Sequence, residues 1–147
     1  MRLRKQLGVL AYELHRDQVW VVLITNRNGT RWILPKGQPE AALSDKRVAM
    51  MEAYEEAGVL GVIDKGIDPL EVVVWTKRGK VRLIIYPMHI RKLVNKYPES
   101  KIRKRLLIDS NKALRMLDKK PLRFCVKKLA KKINKRRKKA EKEKAII

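Results

Sequence analysis

The sequence predicts a mixed α/β domain whose sheet is covered by a helix on each face. Residues 19–25 (VWVVLIT) and 70–76 (LEVVVWT) are dense in β-branched residues, as buried strands are. A helix with marked ends lies between these strands, and apolar side chains recur at helical spacing after Pro121. Strands on both sides of one helix, followed by further helices, imply a mixed sheet.

Length and charge restrict the class of protein. The 147 residues are enough for one domain with a sizeable core, and the formal net charge of +22 calls for anionic partners. Lys and Arg crowd towards the C-terminus, in residues 119–147. We therefore expect a domain over residues 1–120, followed by a C-terminal amphipathic helix and basic tail over residues 121–147.

The cellular setting is predicted from the cysteine content and from hydropathy. Cys125 is the only cysteine, so no intrachain disulfide can form, and a small buried side chain is expected there. The N-terminus lacks the apolar stretch of a signal peptide, and no run approaches the roughly 18 apolar residues of a membrane span. These features predict a cytoplasmic protein with no membrane partner.

Polar turns divide the apolar runs into strands. The first strands are expected to form a hairpin or meander, and the fourth and fifth a second hairpin in which Pro87 indicates an edge position or a bulge. A helix capped by Ser110 and a last helix from Pro121 follow. The expected strands are residues 7–14, 19–25, 31–34, 70–76, 81–90 and 105–108.

The central helix has clear ends. Ser44 is a good N-cap, and Gly58 stands where a left-handed residue ends a helix. Ala49, Ala53 and Ala57 recur every four residues. They form a smooth stripe that lets the helix pack closely against a sheet.

Three glutamates of this helix form the candidate chemical site. Glu52, Glu55 and Glu56 have the spacing i, i+3, i+4, which places them on one helix face. Adjacent carboxylates repel one another, whereas a hard cation such as Mg²⁺ takes oxygen ligands and also holds substrate phosphates. A solvated acidic face is the alternative, but an acidic cluster is out of character in so basic a chain. We predict that these glutamates bind Mg²⁺ or a similar cation.

The loop before the helix contains residues 34–37 (LPKG). Gly37 is expected to permit a backbone turn that is barred to other residues. Lys36 places an ammonium group beside the acidic face, where it suits a phosphate oxygen.

Together, residues 37–59 (GQPEAALSDKRVAMMEAYEEAGV) resemble the sequence box of the Nudix hydrolase family. That pattern is Gly, five residues, Glu, seven residues, Arg-Glu, an aliphatic residue, any residue, Glu-Glu, any residue, Gly and an aliphatic residue. The preceding RWILPKG is similar to the branch that cleaves diphosphoinositol polyphosphates and diadenosine polyphosphates. The matching positions are Gly37, Glu52, Ala53, Glu55, Glu56, Gly58 and Val59.

The resemblance implies an α-β-α sandwich and a metal-dependent pyrophosphohydrolase. Such an enzyme cleaves diphosphate linkages in nucleoside polyphosphates or related phosphate-rich compounds. The resemblance assigns catalysis and the binding of Mg²⁺ or Mn²⁺ to Glu52, Glu55 and Glu56. The residues it assigns to substrate binding are Arg31, Lys36 and Gly37.

Two positions depart from the family pattern. Met51 stands where the family has Arg, and Leu43 where it has its first Glu; Glu40, on the loop, is a candidate substitute for the latter. Residue 51 lies one helical turn before Glu55, so an Arg there can orient that carboxylate and a Met cannot. Losing such a partner typically costs about 10- to 100-fold in metal affinity or activity. Weakened activity is therefore one expectation.

Two rival functions remain open at this point. A degenerate domain would bind RNA or polyphosphate without turnover, and an RNA 5′ pyrophosphohydrolase would use both the metal site and the basic tail. Residues 135–144 are expected to be solvated or disordered, with nonspecific RNA binding as the weaker alternative. Residues 101–105 (KIRKR) are either a solvated surface or a site for a highly phosphorylated substrate.

Two further predictions concern individual side chains. Glu99 is a candidate general base, against the alternative of an exposed loop carboxylate. Three tryptophans fall within strands and are expected in the core or in a pocket wall: Trp20, Trp32 and Trp75.

Overall fold

The structure, a computed structural model, describes residues 3–145, which fold as one sheet with three helices. The first half of the chain contains β1 (Arg4–His15), β2 (Gln18–Thr25), β3 (Trp32–Ile33), β4 (Lys36–Gly37), α1 (Asp45–Ala57) and β5 (Val59–Ile63). The second half contains β6 (Leu70–Thr76), β7 (Gly79–Leu93), β8 (Arg105–Asp109), α2 (Ser110–Met116) and α3 (Lys120–Ala145).

Two long strands, β1 and β7, form the centre of the sheet. They run parallel, in register from Arg4 opposite Val81 to Tyr12 opposite His89. The strand order is β3-β2-β1-β7-β5, with β4 beside β1, β6 beside β7 and β8 beside β2. Because these other neighbours pair antiparallel, the sheet is mixed, as the sequence predicts.

Both expected hairpins are present. The β1–β2 turn uses Arg16 and Asp17, whose φ angles are 46° and 69°. Two such left-handed residues match the right-handed twist of the strands that they join. The β6–β7 hairpin closes at Gly79, which has φ 103°.

Pro87 lies in a central strand, so the prediction of an edge strand is wrong. Strand β7 does shift register against β5, but between Ile90 and Lys92 and not at Pro87. On one side Pro87 faces Leu10 of β1. On the other side, β6 pairs with β7 as far as Ile85, and β5 pairs with it from Met88. Pro87 thus stands where β7 changes partners, a place that tolerates a residue with no N–H to donate.

The two faces of the sheet bury different helices. Alternate residues of β1 point to opposite sides: Leu7, Val9 and Ala11 pack with α1, whereas Leu10 and Tyr12 pack with α2 and α3. The result is the predicted three-layer arrangement of helix, sheet and helix. From α3, the residues that enter the second core are Leu122, Cys125, Val126, Leu129, Ala130 and Ile133.

Several local predictions need correction. Strands β4 and β5 are not expected from the sequence. Of the two alternatives for residues 135–144, the solvated one is confirmed and the disordered one is wrong, since these mostly exposed residues belong to α3, which continues to Ala145. Trp75 is 67% exposed and is therefore not a core residue.

Cys125 is buried as predicted, and this burial raises the pKa of its thiol to about 12. The first half of α3 shares a core with the sheet, while the division of the chain at residue 120 stays a prediction. Within residues 3–145, no helix combines the length and the apolar character that a membrane crossing needs.

Candidate functional site

Helix α1 is fixed at both ends by the predicted residues. The Ser44 hydroxyl accepts the Arg47 N–H at 3.3 Å, and Gly58 adopts a left-handed conformation with φ 64°. The Ala49, Ala53 and Ala57 stripe is fully buried. Close packing through these small side chains holds the helix against the sheet and sets the direction of its glutamates.

The LPKG loop is bonded to the sheet beside α1. The Val9 N–H donates to the Pro35 carbonyl at 3.0 Å, and β4 pairs with Leu7 and Gly8 of β1. The Lys36 N–H then donates to Glu56 Oε1 at 3.0 Å. The loop therefore bridges the central strand and the acidic face of α1.

Gly37 is needed for space and not for its backbone angles. Its φ lies outside the left-handed range that Gly58 adopts, so the prediction of a turn barred to other residues is wrong. A Cβ on Gly37 would instead overlap the carboxylate and Cγ of Glu52. Glycine thus leaves room for Glu52 to lie against the loop.

Glu56 is the most deeply buried of the three predicted glutamates, at 8% exposure. Its Oε1 accepts the Lys36 N–H, and its Oε2 lies 3.4 Å from Arg103 Nη2. Burial raises the pKa of Glu56, against the opposing effects of Arg103 and of the Lys36 N–H.

Glu52 is half-buried, and its pKa is raised to about 7. Burial is the largest cause, and the charges of Glu56, Glu55 and Glu99 add to it. The raised pKa therefore reflects first the burial of Glu52 and second the negative charge of its neighbours.

A loop after β7 completes the group. The Glu99 N–H donates to the Glu55 carbonyl at 3.0 Å, and Arg105 Nη1 donates to the Ala57 carbonyl at 2.9 Å. These bonds dock the loop onto the C-terminal half of α1. The Glu99 side chain is only 14% exposed, so the alternative of an exposed loop carboxylate is wrong. We call Glu52, Glu55, Glu56 and Glu99, with the buried Arg103, the carboxylate cluster.

The predicted cations stand at different distances from this cluster. Burial lowers the pKa of the Lys36 ammonium; Glu56 and Glu52 oppose this effect, and Lys119 and Arg103 strengthen it. Lys36 is therefore close enough to interact with both glutamates.

Arg31 lies further out, since its half-exposed guanidinium is 3.9 Å from Asp118. Its charge acts on Lys119, which in turn acts on Lys36.

The two departures from the family pattern are also visible. Leu43 and Met51 are half-buried apolar side chains. Glu40 is exposed, and its carboxylate makes no hydrogen bond or ion pair in the described part of the chain. The same part contains no group of three or more His, Cys, Asp or Glu side chains gathered as a ready-made metal site.

Arg103 and Lys119 are the residues that sequence reasoning misses. Arg103 belongs to the KIRKR run, yet it is 8% exposed while its apolar neighbour Ile102 is 47% exposed. Hydropathy predicts the reverse. Lys119 precedes α3, and its ammonium donates to the Trp75 carbonyl at 2.9 Å. Neither position carries a local sequence signal, because long-range contacts alone decide its role.

Comparison with known proteins identifies what the chain resembles. No family model matches it. Among curated proteins, it is 27% identical over 97 residues to "Nudix hydrolase 17, mitochondrial" of Arabidopsis thaliana, covering 66% of this chain and 53% of the relative. It is 27% identical over 104 residues to "Diphosphoinositol polyphosphate phosphohydrolase 3-alpha" of Homo sapiens, covering 66% and 57% respectively. The chain thus spans little more than half the length of these two curated relatives.

Solved structures show the same fold. A C. elegans Ap4A hydrolase in a binary complex has a TM-score of 0.76 at 14% identity, covering 89% of this chain and 98% of that one. The NUDIX domain of Shewanella oneidensis NrtR, complexed with ADP ribose, has a TM-score of 0.66 at 16% identity, covering 92% and 89%. This chain therefore resembles the Nudix hydrolases in sequence and has their fold.

Proposed function

We propose that this chain is a hydrolase of phosphoric anhydrides that uses Mg²⁺ or Mn²⁺ held by Glu52, Glu55 and Glu56. The observation that carries the proposal is the under-neutralised carboxylate cluster beside the LPKG loop. Glu52 and Glu56 are partly or fully buried, and their mutual repulsion helps to raise the pKa of Glu52 to about 7. Perturbed carboxyl groups of this kind concentrate at functional sites.

The donor set suits a hard divalent cation. Mg²⁺ is usually bound by one or two carboxylates together with substrate phosphates and water, and it seldom has a complete protein cage. The neighbouring carboxylates of Glu52 and Glu56 meet that requirement, with Glu55 on the same helix face. When bound, the cation would screen the diphosphate charge and acidify a water molecule for attack.

The remaining side chains would bind and orient the substrate. Lys36 supplies an ammonium group beside Glu56 and Glu52. Gly37 has no side chain, which leaves room for Glu52 to lie against the loop. Arg31 and Lys119 extend the positive charge outwards, which favours a substrate with several phosphates. Glu99 stays the candidate general base.

The substrate class follows from this charge distribution. A chain of phosphates would span from the carboxylate cluster to the outer cations, as in a diadenosine polyphosphate, a diphosphoinositol polyphosphate or a related nucleotide. The names of the human relative and of the C. elegans neighbour agree with this class.

The test is a hydrolysis panel with matched variants. The purified protein is incubated with Mg²⁺ and diadenosine polyphosphates, nucleoside triphosphates, diphosphoinositol phosphates or triphosphorylated RNA, and phosphate or pyrophosphate release is measured. Glu56→Gln removes a buried carboxylate of the site, and Glu143→Gln changes an exposed glutamate near the end of α3. We expect turnover that Glu56→Gln abolishes and Glu143→Gln retains. Equal turnover in the two variants, or none in the wild type, would contradict the proposal.

A second candidate function is polyanion binding without turnover, and the surface of α3 favours it. A groove of about 550 Å³ separates this helix from the start of α2. Four lysines line it, and within residues 3–145 none has a carboxylate within 4 Å: Lys127, Lys131, Lys135 and Lys138. A binder should retain RNA when metal is chelated, with an affinity that falls steeply with salt. Metal-dependent turnover on the panel would exclude this alternative.

A further inference from the structure

Arg103 is a buried guanidinium within a group of carboxylates. Its side chain is 6% exposed. The Nη1 atom donates to the Thr25 carbonyl at 3.0 Å, Nη2 lies 3.4 Å from Glu56 Oε2, and Nε lies 3.5 Å from Glu99 Oε2. A buried arginine needs such partners, since charged side chains are almost never fully buried without them.

The backbone around Arg103 is held in place by hydrogen bonds to β2 and within its own loop. The Lys104 N–H donates to Thr25 Oγ1 at 2.9 Å, and the Thr25 N–H donates to the Lys104 carbonyl at 3.0 Å. The Arg103 N–H donates to the Glu99 carbonyl at 3.1 Å. The loop is therefore tied to the end of β2, and the planar guanidinium has a defined direction.

Glu56 is consequently fixed through both of its oxygens. Oε1 accepts the Lys36 N–H, and Oε2 faces Arg103. Arg103 itself is too buried to serve as a substrate ligand. Its contacts are suited to orienting a carboxylate that must bind something else.

The position of Arg103 on the loop bears on one departure from the family pattern, Met51. Helix α1 carries Met51 where the pattern it resembles has an arginine. The arginine that α1 does contain, Arg47, is exposed and forms no ion pair with a glutamate within residues 3–145.

We propose that Arg103 is a positioning residue of the carboxylate cluster: it supplies a guanidinium from the loop to Glu56 and Glu99, in a cluster where Met51 supplies none to Glu55. This inference rests on the proposed function, because it assigns Arg103 to the same metal and phosphate site.

The experiment combines substitutions at the two positions. Arg103→Met removes the charge, Arg103→Lys keeps the charge but loses the planar fork, and Met51→Arg restores a guanidinium on the helix. Mn²⁺ binding without substrate is measured by calorimetry, kcat and KM are measured on the best substrate of the panel, and thermal unfolding monitors the fold. Lys96→Met, in the same loop but exposed, is the matched control.

We expect Arg103→Met and Arg103→Lys to weaken Mn²⁺ binding or kcat by about 10- to 100-fold, as losing a group that orients a metal ligand does. Lys96→Met should leave both unchanged. Met51→Arg should raise Mn²⁺ affinity more in the Arg103→Met background than in the wild type, because both guanidinium groups serve one cluster. Should Arg103→Met fail to fold, the same comparison is made on Arg103→Lys, which keeps the buried charge.

The outcomes separate this inference from the proposed function. If the wild type neither turns over a substrate nor binds Mn²⁺, the proposed function is wrong, and this inference is wrong with it. A wild type that binds Mn²⁺ and turns over substrate, with Arg103 variants equal to it, overturns only the role of Arg103. Strictly additive effects of Met51→Arg and Arg103→Met also overturn it.

Discussion

The two faces of the sheet each hold a group of buried charges, and the two groups differ in how completely they are neutralised. On the α1 face, the carboxylate cluster brings four glutamates together, and two of them, Glu56 and Glu99, contact the buried guanidinium of Arg103. On the α3 face, one carboxylate, that of Asp64, is buried among Tyr12, His89 and Arg136. We call this second group the Asp64 cluster.

The Asp64 cluster satisfies its charge completely. Asp64 accepts the Tyr12 hydroxyl at 2.5 Å, the Gly66 N–H at 2.9 Å and Arg136 Nη1 at 2.6 Å. Burial opposes ionisation, yet these hydrogen bonds outweigh it and lower the pKa of Asp64 to about 2. Because Arg136 belongs to α3, the cluster fastens that helix to the sheet.

The contrast separates a structural ion pair from a group of carboxylates whose charge the protein does not neutralise. The pKa of Asp64 falls to about 2, whereas that of Glu52 rises to about 7. A lowered carboxyl pKa means that the folded state already stabilises the charge, and a raised one means that it does not. The Asp64 cluster should therefore contribute to stability, and the carboxylate cluster to binding and chemistry.

The substitution Glu52→Gln tests the difference between the two clusters, and we expect it to have the largest effect on turnover. Losing this carboxylate should reduce metal-dependent turnover by at least about 100-fold, more than the loss of a group that merely orients a ligand. Stability should change in the opposite direction, because the substitution removes one of several repelling charges. In EDTA at pH 8 we expect the free energy of unfolding to rise by about 1 kcal/mol, a value discounted for the partial exposure of Glu52.

Turnover and chemical denaturation of the same preparation check both parts. Glu143→Gln, which changes an exposed glutamate, should alter neither quantity. A destabilised Glu52→Gln protein would mean that the carboxylate cluster is a structural network like the Asp64 cluster.

Gly37→Ala should separate activity from stability in the same cluster. The three atoms nearest to the added Cβ all belong to the flexible end of the Glu52 side chain, which the substitution would displace. A misplacement of about 1 Å can cost about 100-fold in rate, so we expect a loss of about 10- to 100-fold in kcat. The melting temperature should hardly change. The control is Gln38→Ala, which changes an exposed neighbour. Equal kcat values for the two variants would contradict the idea that Gly37 leaves space for Glu52.

The carboxylate cluster could be predicted only in part from the sequence. Helix caps, periodic alanines and the spacing of the glutamates are local signals, and they correctly located α1 and its acidic face. The role of Gly37 was misjudged, because a glycine that leaves space for a distant side chain looks the same as one that permits a turn. Arg103 was missed because its burial depends on Glu56 and Thr25, both far away in the chain.

The Asp64 cluster could not be predicted at all. Tyr12, Asp64, His89 and Arg136 come from three strands or loops and the last helix, and no spacing connects them. The same reason explains β5, whose pairing with β7 is set by the path of the chain after α1. Sequence periodicity predicts which face of an element is buried, but not which charges will meet across elements.

Asp64→Asn should give the largest stability effect on the α3 face. It leaves Arg136 and Tyr12 without their charged partner. Breaking a fully buried ion pair costs about 3–5 kcal/mol, and we expect about 2 kcal/mol because solvent reaches Arg136. That corresponds to a fall of about 4–8 °C in melting temperature for a domain of this size.

The control for this prediction is Asp68→Asn, which changes an exposed aspartate four residues away. Turnover measured well below the melting temperature should be retained in both variants. A loss of turnover in Asp64→Asn at a temperature where it is fully folded would place the Asp64 cluster in the reaction.

Acid should lower the stability of the wild type by protonating Asp64. At any one pH this effect should be smaller than that of the Asp64→Asn substitution. The pKa of Asp64 is about 2 in the folded state, below its usual value of 3.8. Its contribution is therefore fully present above about pH 4 and is lost as the pH falls towards 2. The difference in unfolding free energy between the wild type and Asp64→Asn should shrink from about 2 kcal/mol at pH 5 as the solution is acidified. Urea denaturation at intervals between pH 5 and pH 2.5 measures this difference, and a gap that stays constant over that range would show that Asp64 is not the group that titrates.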